Sequence, residues 1–469
     1  TLGFVFSITR KKDEFPALEF RIQDFKGPKN VISGKHLKLF QTRYSRAGSS
    51  PQDAEWLGDV LVPLRDKLSL DNAPRGQRAQ SVYAELHVPA KAEKGTYHGQ
   101  ISLVSGNGSE SRLNVVLDVL PIRMPDQPRF AIELPVPFAI AQLYKKDIAK
   151  VAEAAPIERA YQQIASDHRC TLAFVPYARN GVWPAQVVPT TAGKGADLSV
   201  PTWADWDQRF MSHLAGDPFS KDGQSQAHAG HFILPVFENW PTPFLKGYLC
   251  GDDEVAGPEG LRVFAGASDN IYSCMDSDYW RAFRAALGLF AGHFKTLDIS
   301  NTTAHVWLNN GPVENYEGKA PPWFLGQPLY RDDFLALEAF AEVSQTEASS
   351  FPGGRFAFRV NVPDPAALAQ YGFDRFSILS TLDLSPAAWQ LLRRRVATTG
   401  ETLWMQTESL PLGNDIAEVE TFCLRHFLEG ADGWTIRDVV GRPEHLARPQ
   451  PQSLLYCGLP LKTDGPLPS

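Results

Sequence analysis

Basic charge, metal-ligand spacings and long apolar runs are all scarce in this chain of 469 residues. Its 46 Lys and Arg stand against 53 Asp and Glu, for a net charge of -7. That balance supplies no electrostatic footprint for a nucleic acid or an anionic lipid surface, so no nucleic-acid partner is expected. The longest apolar stretches, such as FRAALGLFAGHF, are interrupted by Arg284 and His293. They fall short of the roughly 20 residues that a membrane-spanning helix needs. The five cysteines (Cys170, Cys250, Cys274, Cys423 and Cys457) show no CxxC and no Cys/His ligand spacing, so no metal is expected. Gly353-Gly354 lacks the strand-to-helix context of a phosphate loop, and nothing else in the chain calls for a cofactor. No charged segment followed by an apolar one precedes the strand-like opening TLGFVFSITR, so no signal segment is expected within the chain.

What is present is an ordinary globular composition, 43% hydrophobic and 21% charged, in a chain too long for one core. Eleven Trp and 36 Pro suggest loops carrying aromatic platforms, a profile of sugar-handling proteins outside the cytosol. Export to the periplasm, cell surface or medium is therefore the expectation. Cys250 and Cys274 bracket a loop rich in Gly and Asp that a disulfide would close. Self-association is left open.

From residue 1 to 122 the pattern is one of short strands. LEFRIQ, VYAELHVPA, YHGQISLVS and SRLNVVLDVL alternate or run as buried strands, and Gly106-Asn107-Gly108 marks a hairpin. This predicts an all-β sandwich. Residues 123–129, with two prolines, read as a stiff linker. From 130 to 469 the rhythm becomes strand, loop, helix. Eight strands are predicted at 130–136, 171–178, 232–238, 304–310, 356–362, 376–381, 403–409 and 433–439. Helical patterns lie between most of them, and eight alternations predict a closed α/β barrel of the (β/α)8 type. The segment 239–278 is too long for an ordinary connection and reads as an insertion over the site.

In such a barrel the chemistry sits at the carboxyl ends of the strands. Glu238, Glu408 and Asp438 close the third, seventh and eighth predicted strands. Each shares strand parity with large residues behind it, which makes them the candidate catalytic carboxylates. Glu408 leads, because Gln406 beside it suits a sugar hydroxyl. Glu314 is a loop carboxylate within reach. Tyr177, Arg179 and Asn180 after the second strand, with Arg359 and Asn361 on the fifth, are candidate hydrogen-bond partners of a substrate. Trp183, Trp240, Trp323 and Trp434 fall at strand ends or in loops, where indole stacks on sugar C–H faces or packs beneath the loop. His305, two residues before Trp307, reads as a core histidine.

Six segments in register carry a resemblance: VLVPL (60–64), QSVYAELHVPAKAEKGTYHGQISL (80–103), LPVFENW (234–240), WLNN (307–310), LEGADGWTIRDVVG (428–441) and SLLYCGLPLKTDGPLPS (453–469). Together they resemble bacterial proteins of unknown function related to the catalytic domain of glycoside hydrolase family 123. The resemblance implies an N-terminal β-sandwich, a (β/α)8 barrel, and a closing helix beyond the last segment. In the hydrolase branch the fourth strand ends in adjacent Asp and Glu, which implies a substrate-assisted mechanism with Glu as acid/base. Here the matching positions are Asn309 and Asn310, and neither amide can donate a proton as an acid. Both are expected to bind substrate instead, Asn310 by holding a sugar hydroxyl or acetamido group. Two functions follow: a glycoside hydrolase using the other strand-end carboxylates, or a catalytically degenerate barrel that binds glycans or serves in surface assembly.

Overall fold

The computed structural model describes residues 2–9, 18–47, 55–64, 67–68, 78–125, 128–136, 140–177, 188–215, 230–250, 254–256, 262–264, 271–297, 299, 302–310, 321–348, 354–371, 373–382, 384–407, 416–437, 439–441 and 454–456. The N-terminal part consists of antiparallel sheets. Strands Leu2–Thr9, Ala79–Leu86, Leu37–Ala47 and Glu55–Pro63 lie side by side in one sheet. In the other, Gly95–Ser105 pairs with Leu18–Ile22, Phe25–Lys26 and Glu110–Val119. The alternation seen in the sequence has a physical cause: Gln80, Val82, Ala84 and Leu86 of one strand all turn inward. Val82, Ala84, Leu37 and Leu39 from the first sheet share one core with Phe25, Tyr97 and Ile101 from the second. Two sheets around one core make a sandwich. Gly108, at φ 83°, makes the hairpin turn that a side chain would strain.

The parallel strands are labelled β1 (Ala131–Val136), β2 (Thr171–Phe174), β3 (His231–Ile233), β4 (Thr303–Trp307), β5 (Arg355–Asn361), β6 (Ile378–Thr381), β7 (Thr402–Thr407) and β8 (Gly433–Ile436). Their order in the sheet is β2-β1-β8-β7-β6-β5-β4-β3. The two end strands are joined by packing, since Ala173 and Val175 share a buried cluster with Ile233 and Trp307. The barrel is therefore nearly closed. Among the described residues, seven helices alternate with the strands: α1 (Val151–Asp167), α2 (Ala204–Ala215), α3 (Ser277–Thr296), α4 (Arg331–Ala348), α5 (Pro365–Tyr371), α6 (Pro386–Thr399) and α7 (Ile416–Leu428). Their ends follow local chemistry. Asp276 caps α3 by accepting from Asp278 N, while α6 begins with Ser385 and Pro386 and ends at Gly400, φ 76°. None of the described helices is long and apolar enough to cross a membrane.

Strand parity divides the barrel into two layers. Leu134, Leu172, Phe232, Val306, Val360, Leu403, Met405, Trp434 and Ile436 face the helices in one large core. The alternate residues fill the barrel. Gly433 opens β8 because a Cβ there would lie 2.6 Å from the Trp404 ring, which crosses the interior. Between β3 and α3 the insertion contains a helical turn, Phe244–Gly247, and a hairpin of Glu254–Ala256 with Arg262–Phe264. The expected disulfide between Cys250 and Cys274 closes it.

Polar contacts tie the sandwich to the barrel. His168, after α1, pairs with Glu85 at 2.9 Å, Lys38 with Asp167 at 3.5 Å, and Arg169 donates to the Pro125 carbonyl at 2.7 Å. The mutual hydrogen bond holds His168 above its ordinary 6.5 and Glu85 below its ordinary 4.5. The signs differ. The His168 contribution is full below about 6.5 and is lost as pH rises through its raised value. The Glu85 contribution is full above about 4.5 and is lost as pH falls through its lowered value. Docking of the two parts should therefore be tightest between those limits. Trypsin cleavage between the sandwich and the barrel should accelerate as pH is raised out of that window, and His168→Ala should flatten the response. An unchanged pH profile in His168→Ala would remove this pair from the docking.

Candidate functional site at the barrel mouth

The barrel interior is built around a buried ion pair. Arg359 of β5 and Glu133 of β1 are 0% and 1% exposed, with Nη1 2.6 Å from Oε1. Arg359 also donates through Nη2 to Ser380 Oγ at 2.9 Å and to Thr435 Oγ1 at 2.6 Å. Its guanidinium lies 4.1 Å from the Trp307 ring centre and 4.8 Å from that of Trp404. His231 and His305 bond to each other at 3.0 Å. Burial, then the charge of Arg359, lowers His231 to about 4; burial followed by the neighbouring His231 carries His305 well below its ordinary value. Both are neutral near pH 7. His305 is thus a core histidine, as read from the sequence. Arg359, expected at the mouth, is committed to this interior set.

One layer nearer the carboxyl ends, a chain of amides runs from a single cation. Arg437 Nη2 donates to Gln406 Oε1 at 2.5 Å, and Gln406 Nε2 donates to Asn361 Oδ1 at 2.6 Å. Trp307 Nε1 donates to the same oxygen at 3.1 Å. Asn361 Nδ2 then donates to Asn309 Oδ1 at 2.8 Å and to the Gly326 carbonyl at 2.6 Å. Four strands, β4, β5, β7 and the end of β8, thus meet in one hydrogen-bonded floor. Asn309 is half-buried above it.

Asn310 plays a different part from its neighbour. Its Oδ1 accepts from Leu325 N at 2.7 Å and Gly326 N at 3.2 Å, and its Nδ2 donates to the Trp323 carbonyl at 3.1 Å. The side chain clamps the returning loop against the strand end. The loop comes so close that a Cβ on Gly326 would lie 2.2 Å from the Asn310 carbonyl oxygen. Replacing Asn310 by Asp sets an oxygen against the Trp323 carbonyl. It is expected to cost about 1–3 kcal/mol in urea unfolding, the penalty of a buried polar group left without its partner. A loss below about 0.5 kcal/mol would mean that the loop holds without this clamp.

Glu238 is buried after β3. It accepts the Tyr177 hydroxyl at Oε2, and its carbonyl accepts the Tyr279 hydroxyl at 2.6 Å. Burial, then the charge of Glu238, raises Tyr279 well above its ordinary value, so it stays a donor. Parity works differently here from the sequence expectation. Val236, Trp434 and Ile436 face the helices, whereas Trp404 is packed inside with Gln406 two residues beyond. Of β3, β7 and β8, β7 is the one with a tryptophan on its inner side, and Glu238 sits where a turn follows its strand. Glu408, Asp438, Glu314, Arg179, Asn180 and Trp183 lie outside the described residues.

Three of the tryptophans are packing residues in this structure. Trp240 packs at a tilt near Phe290 and Trp323 lies edge-to-face with Phe244 and Tyr248, while Trp434 packs on Phe422 and donates to Thr407 Oγ1 at 3.1 Å. At 9%, 4% and 1% exposure they offer little face to a ligand. The structure brings together Asn309, Asn361, Gln406 and Trp307, joined by Arg437, which the sequence analysis did not name among the site residues. Its signal was parity: Arg437 follows the inward Thr435 by two. Glu133 was also missed. One acidic residue in the apolar strand AIELPV and one Arg in FAFRVNV were the available sign of a buried pair. No group of residues able to hold a metal occurs among the described residues.

The chain is similar in fold to a family 123 glycoside hydrolase from Clostridium perfringens that acts in glycolipid glycan hydrolysis. The TM-score is 0.56 at 12% identity, over 94% of this chain and 72% of the other. A family 39 glycoside hydrolase from Bacteroides cellulosilyticus WH2 (TM-score 0.32, 10% identity, 86% of this chain and 70% of that one) and a Bacteroides ovatus GH5 xyloglucanase (0.34, 7%, 93% and 90%) are more distant. No protein-family model and no curated protein matches the sequence. At these identities the likeness establishes the fold, and the first comparison carries it.

Proposed function

We propose that the protein acts on a glycan at the carboxyl-terminal mouth of the barrel, as a glycoside hydrolase using Glu408 and Glu238, with Asp438 as the third carboxylate. One observation carries the reading: the hydrogen-bonded floor of Asn309, Asn361, Gln406 and Arg437 over a packed layer containing Trp307 and Trp404. Neutral, oriented amides on a rigid base suit a ligand rich in hydroxyl groups. Glu408 follows Gln406 by two residues in the sequence, and Gln406 faces inward from β7. Glu238 lies after β3 with its carboxylate oriented by Tyr177. Two such carboxylates are what ordinary glycoside hydrolysis requires. The same reading makes Glu314, Tyr177 and Arg179 substrate contacts and has the protein exported, where a disulfide such as Cys250–Cys274 persists.

A second reading rests on Asn310. The side chain at the position where the resemblance implies an acid is spent on a loop clamp. This favours a barrel that binds glycans without cleaving them. A glycan array combined with a polysaccharide-digestion screen separates the two. Cleavage supports the hydrolase, and binding without cleavage supports the second reading. The absence of both would sink the carbohydrate assignment.

A further inference from the structure

The hydrogen-bonded floor has a direction, and its direction determines what the mouth offers a ligand. Arginine and the tryptophan indole can only donate hydrogen bonds. Arg437 therefore requires the oxygen of the Gln406 amide to face it, which turns Gln406 Nε2 toward Asn361. Trp307 Nε1 and Gln406 Nε2 together require the Asn361 oxygen. Asn361 Nδ2 is then turned toward Asn309 and the Gly326 carbonyl, and that carbonyl accepts only. Each amide is thus pinned from both sides. The last in the chain, Asn309, must present its oxygen to Asn361. Its Nδ2, on a half-buried side chain, makes no hydrogen bond among the described residues.

We infer that Asn309 is a specificity-determining residue whose side-chain NH2 is locked as a hydrogen-bond donor toward the ligand, selecting an acceptor-only oxygen: a carbonyl or carboxylate oxygen on a sugar. A free asparagine can turn over and serve either as donor or as acceptor, so it discriminates weakly. This one cannot turn without breaking bonds to Asn361, and Asn361 cannot turn against Trp307 and Gln406. The donors in the chain begin at a cation, and hydrogen bonds in series polarise one another, which strengthens the final N–H groups. A hydroxyl gains little from such a donor because it can rotate to pair with anything. A carboxylate of a uronic acid or the carbonyl of an acetamido group gains the most. The inference rests on the carbohydrate reading above, and it adds the chemical class of substituent that the site selects.

The test uses three methyl glycosides as probes: of glucose, of glucuronic acid and of N-acetylglucosamine. Each is titrated into the whole chain while the side-chain amide resonance of Asn309 is followed. Wild-type protein should bind the glucuronide or the acetamido sugar roughly tenfold or more tightly than the glucoside, with the Asn309 resonance shifting. Asn309→Asp keeps the inward oxygen for Asn361 and replaces the outward NH2 by an acceptor. Asn309→Ala removes both, and thermal unfolding checks that each variant is folded. If the source is a uronate, Asn309→Asp should bind the glucuronide more weakly than Asn309→Ala does, through charge repulsion. If it is the acetamido group, both variants should lose the preference to a similar extent. Equal binding of all three probes by wild type, or a preference retained in Asn309→Asp, would overturn the inference while leaving the carbohydrate reading standing. Binding of none would overturn both.

Discussion

Replacing Arg359 by Met should destabilise the protein by about 3–5 kcal/mol, the cost of leaving a buried carboxylate without its cation. Arg359 holds Glu133, Ser380 and Thr435 with one guanidinium, and both charged partners are shut off from water. Glu133 Oε2 already has no hydrogen-bond partner among the described residues, so the carboxylate depends on the Arg359 side for compensation. Burial acts to lower Arg359 and Glu133 acts to raise it again. The double variant Arg359→Met with Glu133→Leu should recover much of the loss, because an apolar pair needs no compensation. Urea midpoints of the two single variants and the double variant test this. A loss of under about 1 kcal/mol in the single variant would show that water reaches the pair.

The second large effect concerns chemistry. Glu408→Gln preserves side-chain shape and removes only the capacity to ionise, so turnover should fall by about 10²-fold or more while the urea midpoint stays near wild type. By contrast, loss of one neutral contact to a sugar hydroxyl is worth about 1 kcal/mol, less than tenfold. The gap between these magnitudes distinguishes a carboxylate that reacts from one that merely binds. Glu238→Gln keeps an acceptor for Tyr177 and gives the matching measurement on β3. If Glu408→Gln were as active as wild type, Glu238 and Asp438 would be left as the reacting pair.

The sheets of this protein were legible because their patterns are strong. AHVWLNN was predicted as a strand over 304–310 and is one over Thr303–Trp307; LWMQTES was predicted over 403–409 and is one over Thr402–Thr407. Over 304–310 the difference lies at the carboxyl end, where residues 308–310 leave the ladder for the mouth. Helix α5, seven residues with Ala, Leu and Tyr on a short turn, carries too little periodicity to stand out. The site was less legible. Parity between alternate residues is visible in a sequence, but which parity faces inward is not when both faces are apolar. Trp434 and Trp404 look alike as large residues in late strands, yet Trp404 fills the barrel and Trp434 meets α7 through Phe422. The contrast between Asn309 and Asn310 was also out of reach. Adjacent residues on a strand point to opposite faces, and the loop that Asn310 clamps returns 13 to 16 residues later.

The most direct test of the account is turnover and affinity measured on one substrate, a polysaccharide that the screen shows to be cleaved. Reducing-end release and binding are compared for wild type and Glu408→Gln. The expected result is release by wild type, its loss by about 10²-fold or more in the variant, and binding kept within a few-fold. Release undiminished in Glu408→Gln, or no release from any polysaccharide by wild type, would contradict it.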